Sequence, residues 1–200
     1  MKRIFTIAAA MLIGLSSVAQ SYVNAGYGYC FDKTSFDGDV QKTNSNEFFV
    51  GFSYNFTLAG NLGLEPGIGY LYSFGKQGGE LLEAKNNHHG IVIPALLNYN
   101  FSPSGPICFK LFAGPSASFG ISDKTTTYVI GKEGLVIDNY DKESGDYSRF
   151  GLSASFGLGL EFANLVRIKL GYDLGLLDMH KAKKIAYTQD AITFSLGFMF

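Results

Sequence analysis

Five charged residues interrupt stretches in which apolar side chains alternate with small or polar ones. Each lies on the side of the alternation that is otherwise occupied by Gly, Ser and Asn. These residues are Glu65, Lys110, Glu161, Arg167 and Lys169. Because an unpaired charge inside a protein is costly, we expect the two carboxylates and three cations to pair with one another. A structural plug of ion pairs is the simplest interpretation, and a gate or a proton path is the alternative.

Histidine is the next residue type that could do chemistry. His88 and His89 are adjacent, and adjacent side chains on a strand point to opposite faces, so the two cannot readily bind one metal ion. His180 lies far along the chain. His88 could be placed beside Ser73 or Glu47 in an enzyme, but no local signature supports a nucleophile and base. We therefore predict no catalytic residues, no metal site and no cofactor.

A compact basic run near the C-terminus offers a third kind of chemistry. Lys181, Lys183 and Lys184 fall within one predicted loop. They could contact the phosphates of lipopolysaccharide just above a bilayer, or simply be solvated.

The element that must position the charges is a strand whose alternation is unusually strict. Between 149 and 161, Phe and Leu occupy one face, while Gly and Ser occupy most of the other. Soluble surfaces favour long charged residues over Gly and Ser, so the small face is a poor candidate for a water-facing exterior. Aromatic residues outside and small residues inside are typical of a narrow barrel in lipid. The same pattern predicts eight strands, at about 22–31, 48–58, 62–73, 88–101, 107–119, 149–161, 166–175 and 191–200.

Eight strands of this length predict an all-β fold, an antiparallel up-and-down transmembrane β-barrel. Strands of about 9–11 residues cross a bilayer when tilted, and closure leaves no unpaired edge in lipid. Long connections are expected at 32–46, 75–87, 122–148 and 177–189, which places them outside the cell and both termini in the periplasm. Within the third loop, 125–130 and 135–137 flank a Gly-containing turn and predict a hairpin. A secreted soluble sandwich or lipocalin-like barrel is the alternative.

The N-terminus predicts export. Lys2 and Arg3 precede an apolar stretch, and small residues at 17–19 offer a cleavage site, so residues 1–19 are predicted to be a signal peptide and residues 20–200 the barrel domain. Loss of Lys2 and Arg3 leaves a net charge of −3, which does not suggest a nucleic-acid partner. The absence of a later apolar run of about 18 residues argues against membrane-spanning helices.

A family resemblance rests on the strand motifs. The stretch His89-Gly90-Ile91-Val92-Ile93-Pro94-Ala95-Leu96-Leu97-Asn98-Tyr99 resembles a strand of the PorT-like outer-membrane β-barrel family. The segments 110–115 and 157–162 are similar to two further strands of that family. The resemblance implies an outer-membrane barrel, a role that can include assembly with a secretion apparatus, and a terminal strand that the barrel-assembly machinery recognises. The residues that would form this assembly signal are Phe194, Phe198 and Phe200.

These observations predict a non-enzymatic protein of the outer membrane of a Gram-negative bacterium. Its role would be structural, surface-binding or secretion-associated. The expected partners are outer-membrane lipid, lipopolysaccharide, the assembly machinery and a protein at the extracellular loops. A narrow channel is the first alternative, and a lipid-modifying enzyme is the second.

Overall fold

The computed structural model describes residues 20–37, 39–79, 81–101, 105–141, 147–163, 165–181 and 185–200. The predicted signal peptide lies outside the described residues and stays a prediction. Among the described residues, no helix has the length and hydropathy that a membrane-spanning helix needs. The described chain forms nine strands: β1 (Gln20–Phe36), β2 (Asp39–Ala59), β3 (Leu62–Gly78), β4 (Leu82–Asn100), β5 (Ile107–Val129), β6 (Lys132–Asp138), β7 (Phe150–Phe162), β8 (Val166–Gly175) and β9 (Ile185–Met199).

Eight of these strands close into a ring. Neighbours pair antiparallel in the order β4-β3-β2-β1-β9-β8-β7-β5, and pairing between β4 and β5 closes the ring. The first and last strands meet along most of their length, from Tyr22 opposite Met199 to Phe36 opposite Ile185. The predicted antiparallel barrel is therefore confirmed. Closure satisfies the edge groups that an open sheet would leave unpaired in lipid.

The one described strand outside the ring, β6, belongs to the hairpin predicted in the third loop. β5 continues to Val129, a turn at Ile130 and Gly131 reverses the chain, and β6 pairs back along β5. Gly131 has a φ of 73°, a left-handed conformation that glycine adopts readily. The hairpin therefore stands above the barrel on the side of the long connections.

The prediction of four long loops is mostly wrong. The segments 32–46 and 75–87 are largely paired strand: Asp32 lies opposite Thr43, and Lys76 lies opposite Lys85. β5 and β9 likewise extend into the segments predicted as loops three and four. The reason is physical: above the bilayer both faces of a strand meet water, so polar residues occupy both faces and the alternation fades while the pairing continues.

The two faces of the barrel differ as the pattern predicts. Phe48 and Phe52 point outward and are 51% and 53% exposed, whereas Tyr22 and Arg167 point into the lumen and are 0% and 1% exposed. The largest fully buried side chains therefore lie inside the ring, and the lumen serves as the core of this molecule.

Candidate functional site: a lumen closed below and open above

All five sequence-predicted lumen charges come together near the periplasmic end of the ring. Arg167 Nη1 on β8 lies 2.8 Å from Glu65 Oε2 on β3, and Lys169 Nζ lies 2.8 Å from Glu65 Oε1. Lys110 on β5 forms an ion pair with Glu161 on β7. Glu65 and Arg167 stand on strands that are not neighbours in the ring, so this pair crosses the lumen.

Tyr22 is the residue of this cluster that the sequence analysis missed. Its hydroxyl donates a hydrogen bond to Glu161 Oε2 at 2.8 Å, and the Arg167 guanidinium carbon lies 3.8 Å from the centroid of its ring. Tyr22 thus links the Lys110–Glu161 pair to the Arg167–Glu65 pair. Its position could have been found from the alternation, because Tyr22 shares the inward side with Asn24 and Gly26.

Neutral polar side chains complete this network, which we call the lower ion network (Tyr22, Glu65, Lys110, Glu161, Arg167 and Lys169). Arg167 Nη2 donates to Asn24 Oδ1 at 2.7 Å and to Ser53 Oγ at 3.2 Å. Arg167 is 1% exposed, so these acceptors replace the water that its Nη2 loses on burial, while Nε has no partner among the described residues. Such a network can close a passage, because several ion pairs and hydrogen bonds must break before any one of its charged side chains can move.

The lumen widens above the lower ion network into a cavity of about 460 Å³. Polar side chains from most of the strands line it, and four of them are carboxylates: Asp32, Glu47, Asp123 and Asp173. We call this space the upper cavity. Its wall combines residues of the predicted strands, such as Ser116 and Asp173, with the strand extensions on the extracellular side, where loops were predicted.

Neutral donors hold Asp32 in the wall of the upper cavity. Asp32 accepts hydrogen bonds from Ser45 Oγ at 2.8 Å, Tyr187 Oη at 2.7 Å and Gln189 Nε2 at 2.7 Å. Burial, followed by the negative charge of Asp32, raises the pKa of Tyr187 well above its usual value. Tyr187 therefore stays protonated and acts as a donor to Asp32.

The three histidines do not come together. His88 lines the upper cavity, with its ring near Tyr140, while His89 points outward and contacts Tyr70. His180 pairs with Tyr147 in an isolated bridge. Among the described residues, no three His, Cys, Asp or Glu side chains are grouped closely enough to hold a metal ion.

The family of the chain follows from a match of residues 18–181 to the model described as the outer membrane protein beta-barrel domain. The chain belongs to this family. It is an integral protein of the outer membrane of Gram-negative bacteria. The match covers seven of the eight ring strands in full and so includes both the lower ion network and most of the wall of the upper cavity.

The last strand of this outer-membrane barrel carries the residues predicted as its assembly signal. Phe194, Phe198 and Phe200 all face outward and are 46%, 56% and 75% exposed. The Phe200 amide donates a hydrogen bond to the Ser21 carbonyl at 3.1 Å, which joins the last residue to the first strand. Recognition by the assembly machinery stays a prediction.

The basic run of the barrel is only partly within the structure. Lys181 is exposed beyond β8, whereas Lys183 and Lys184 lie outside the described residues. Their contact with lipopolysaccharide stays a prediction.

Solved structures of other outer-membrane proteins resemble the barrel. Neisserial surface protein A is 15% identical, with a TM-score of 0.48, over 91% of this chain and 99% of that chain. Ail of Yersinia pestis, in complex with the heparin analogue sucrose octasulfate, is 14% identical, with a TM-score of 0.44, over 90% and 99%. The outer membrane enzyme PagL is 12% identical, with a TM-score of 0.48, over 88% and 99%. No curated protein sequence matches the chain.

Proposed function

We propose that this barrel is a non-enzymatic surface-binding protein whose lumen is closed to passage and whose binding site opens to the cell exterior. The observation that carries the proposal is the division of the lumen. Six interlocked side chains occupy its periplasmic end, and a cavity of about 460 Å³ lies above them. A barrel of eight strands has an interior that side chains can fill, which supports closure rather than diffusion.

The tips of the strand extensions supply a second surface, suited to a protein partner. Leu81 and Ile130 are each 74% exposed, and the Ile130 amide donates to the Leu81 carbonyl at 3.1 Å. Leu82 lies directly opposite Val129, so the two tips form one apolar patch. Exposed apolar patches mark interaction sites, and the PorT-like resemblance supports a partner from a secretion apparatus.

Conductance across a planar bilayer tests the closed lumen against the narrow channel. We expect no steady current from the purified full chain. Replacing both Glu65 and Arg167 by Ala removes the pair that crosses the lumen and is expected to produce openings. The matched control replaces Lys76 and Glu83, an ion pair on the extracellular extensions, and should remain silent. Steady current through the unaltered protein would favour the channel.

One observation favours an enzyme as the second candidate. Ser73, His88 and Asp123 face one another in register on β3, β4 and β5, and all three line the upper cavity. A serine, a histidine and a carboxylate in one row are the groups of a hydrolytic triad. Analysis of lipid A from cells that produce the protein or its Ser73→Ala variant decides between the enzyme and the non-enzymatic binding protein. A lipid A change that requires Ser73 would support the enzyme.

A further inference from the structure

We propose that the upper cavity binds an extended organic cation with two or more separated ammonium groups, of the aliphatic polyamine class. This inference rests on the proposed outward-opening binding site and names the ligand class for it. The first argument is charge. Asp32, Glu47, Asp123 and Asp173 line the cavity, while none of the described residues lining it is Lys or Arg. A cleft lined by one sign of charge concentrates ions of the opposite sign.

The way the carboxylates are held supports a cationic ligand. Neutral groups supply their hydrogen bonds: Asn86 and Asn139 donate to Asp123 Oδ1 at 2.7 Å and 3.0 Å, and Asp173 lies opposite Ser155. Neutral donors fix the orientation of a carboxylate without cancelling its charge. Asp32 and Asp123 are thus held in place by donors that carry no positive charge, which leaves a place for a cationic ligand.

Glu47 is the strongest single indication. Its side chain lines the cavity and is 8% exposed, yet among the described residues its carboxylate receives no N–H or O–H donor. The Cys30 thiol donates to Glu47, with 3.9 Å between Sγ and Oε2, and thiols are weak donors. A carboxylate buried without a charged partner is costly, and an ammonium group placed beside it would offset that cost.

The spacing of the carboxylates selects an extended cation. They stand on β1, β2, β5 and β8, and β1 and β5 lie on opposite sides of the ring. A compact ion can approach one wall, whereas a flexible chain with separated ammonium groups can reach carboxylates on several walls together. A volume of about 460 Å³ lies within the range of small-molecule pockets, roughly 300–1,000 Å³.

The lower ion network lies below the upper cavity and repels a cation that approaches it. It contains three cations and two carboxylates, so its formal charge is positive. A ligand attracted by the acidic wall therefore meets repulsion before it reaches the periplasmic end. The charge distribution along the lumen favours binding from outside and opposes passage.

Titration calorimetry of the purified full chain in detergent tests this inference, with the triamine spermidine as the probe. We expect saturable binding that weakens with added salt. The double variant Glu47→Gln, Asp173→Asn should weaken it by about tenfold or more, since two charge partners are lost. Asp39→Asn is the matched control, because Asp39 is exposed at the start of β2 and does not line the cavity; binding should be unchanged. The shift in gel migration on boiling shows that each variant is folded.

Two further probes complete the experiment. Butylamine carries one ammonium group and Mg²⁺ is compact, and both should bind much more weakly than spermidine. Equal binding of Mg²⁺ or butylamine, or binding that survives the double substitution, would overturn the inference. Absence of spermidine binding by a protein that carries no current would overturn the inference and leave the closed, surface-binding barrel intact. A conducting protein that binds spermidine would overturn the closed lumen instead.

Discussion

At the scale of the residue, the molecule depends on ion pairs that are buried inside the barrel. Arg167 is 1% exposed, and its two terminal nitrogens donate to Glu65, Asn24 and Ser53. Among the described residues its Nε has no hydrogen-bond partner, and the Tyr22 ring lies against the guanidinium face. Alternation along the strands was enough to predict which charges face inward. It could not predict which carboxylate each cation meets, because that depends on the stagger of strands around the ring.

Lys110→Met should lower the stability of the barrel. The substitution leaves Glu161 buried with the Tyr22 hydroxyl as its remaining partner in the network, and a buried acceptor that loses a donor costs roughly 1–3 kcal/mol. The free energy of unfolding in urea, with the protein in lipid vesicles, measures the effect. Lys42→Met is the control, because Lys42 is exposed on the extension of β2.

Adding Glu161→Leu to Lys110→Met should recover part of that loss, since no charge then remains unpaired. Equal midpoints for Lys110→Met and Lys42→Met would remove Lys110 from the network. The free energy of unfolding of the single variant Glu161→Leu completes the comparison. If the double variant loses more stability than the sum of the losses in Lys110→Met and Glu161→Leu, the pair does not act as a unit.

At the scale of the element, glycine on the inward face makes room for the few large side chains that point into the lumen. A Cβ added at Gly157 would lie 2.1 Å from the Leu170 carbonyl oxygen and 2.7 Å from the Phe112 ring. At Gly159, two residues along the same face, the nearest atom would be 3.5 Å away. The small-residue face was predictable from the sequence; which glycine is indispensable was not, because it depends on the neighbouring strand.

Gly157→Ala should therefore destabilise the barrel by about 1–3 kcal/mol, the usual cost of overpacking, while Gly159→Ala should be nearly neutral. Urea unfolding of the two variants in the same lipid provides the comparison. If both variants unfold at the same urea concentration, the close approach of β7 and β8 at Gly157 is wrong.

Deletion of Phe200 tests the predicted assembly signal of β9. We expect slower insertion into the outer membrane of cells, while refolding of purified protein into lipid vesicles proceeds at its normal rate. The alternative is that Phe200 is one lipid-facing aromatic residue among many, and burial of such a side chain is worth about 1.5–3 kcal/mol. Equal impairment in cells and in vesicles would favour that alternative.

At the scale of the whole molecule, the lumen is polarised along the barrel axis. Positive charge predominates in the lower ion network, and four carboxylates line the upper cavity. The sequence predicted the ring and the charges at its lower end. It did not predict the upper cavity, because Asp32 and Asp123 lie where the alternation fades and the pattern indicates loops, whereas the structure has paired strands there.

Labelling of single cysteines from each side of a sealed vesicle tests the closed lumen most directly. In a Cys30→Ser, Cys108→Ser background, Thr125→Cys reports on the upper cavity and Asn100→Cys on the periplasmic end. Neither position supplies an ion pair of the lower ion network. The reagent is a positively charged thiol reagent that does not cross the membrane. Added to the extracellular side, it should label Thr125→Cys rapidly and leave Asn100→Cys unlabelled. Added to the periplasmic side, it should leave Thr125→Cys unlabelled. Labelling of Asn100→Cys from the extracellular side as fast as Thr125→Cys would contradict a lumen closed by the lower ion network.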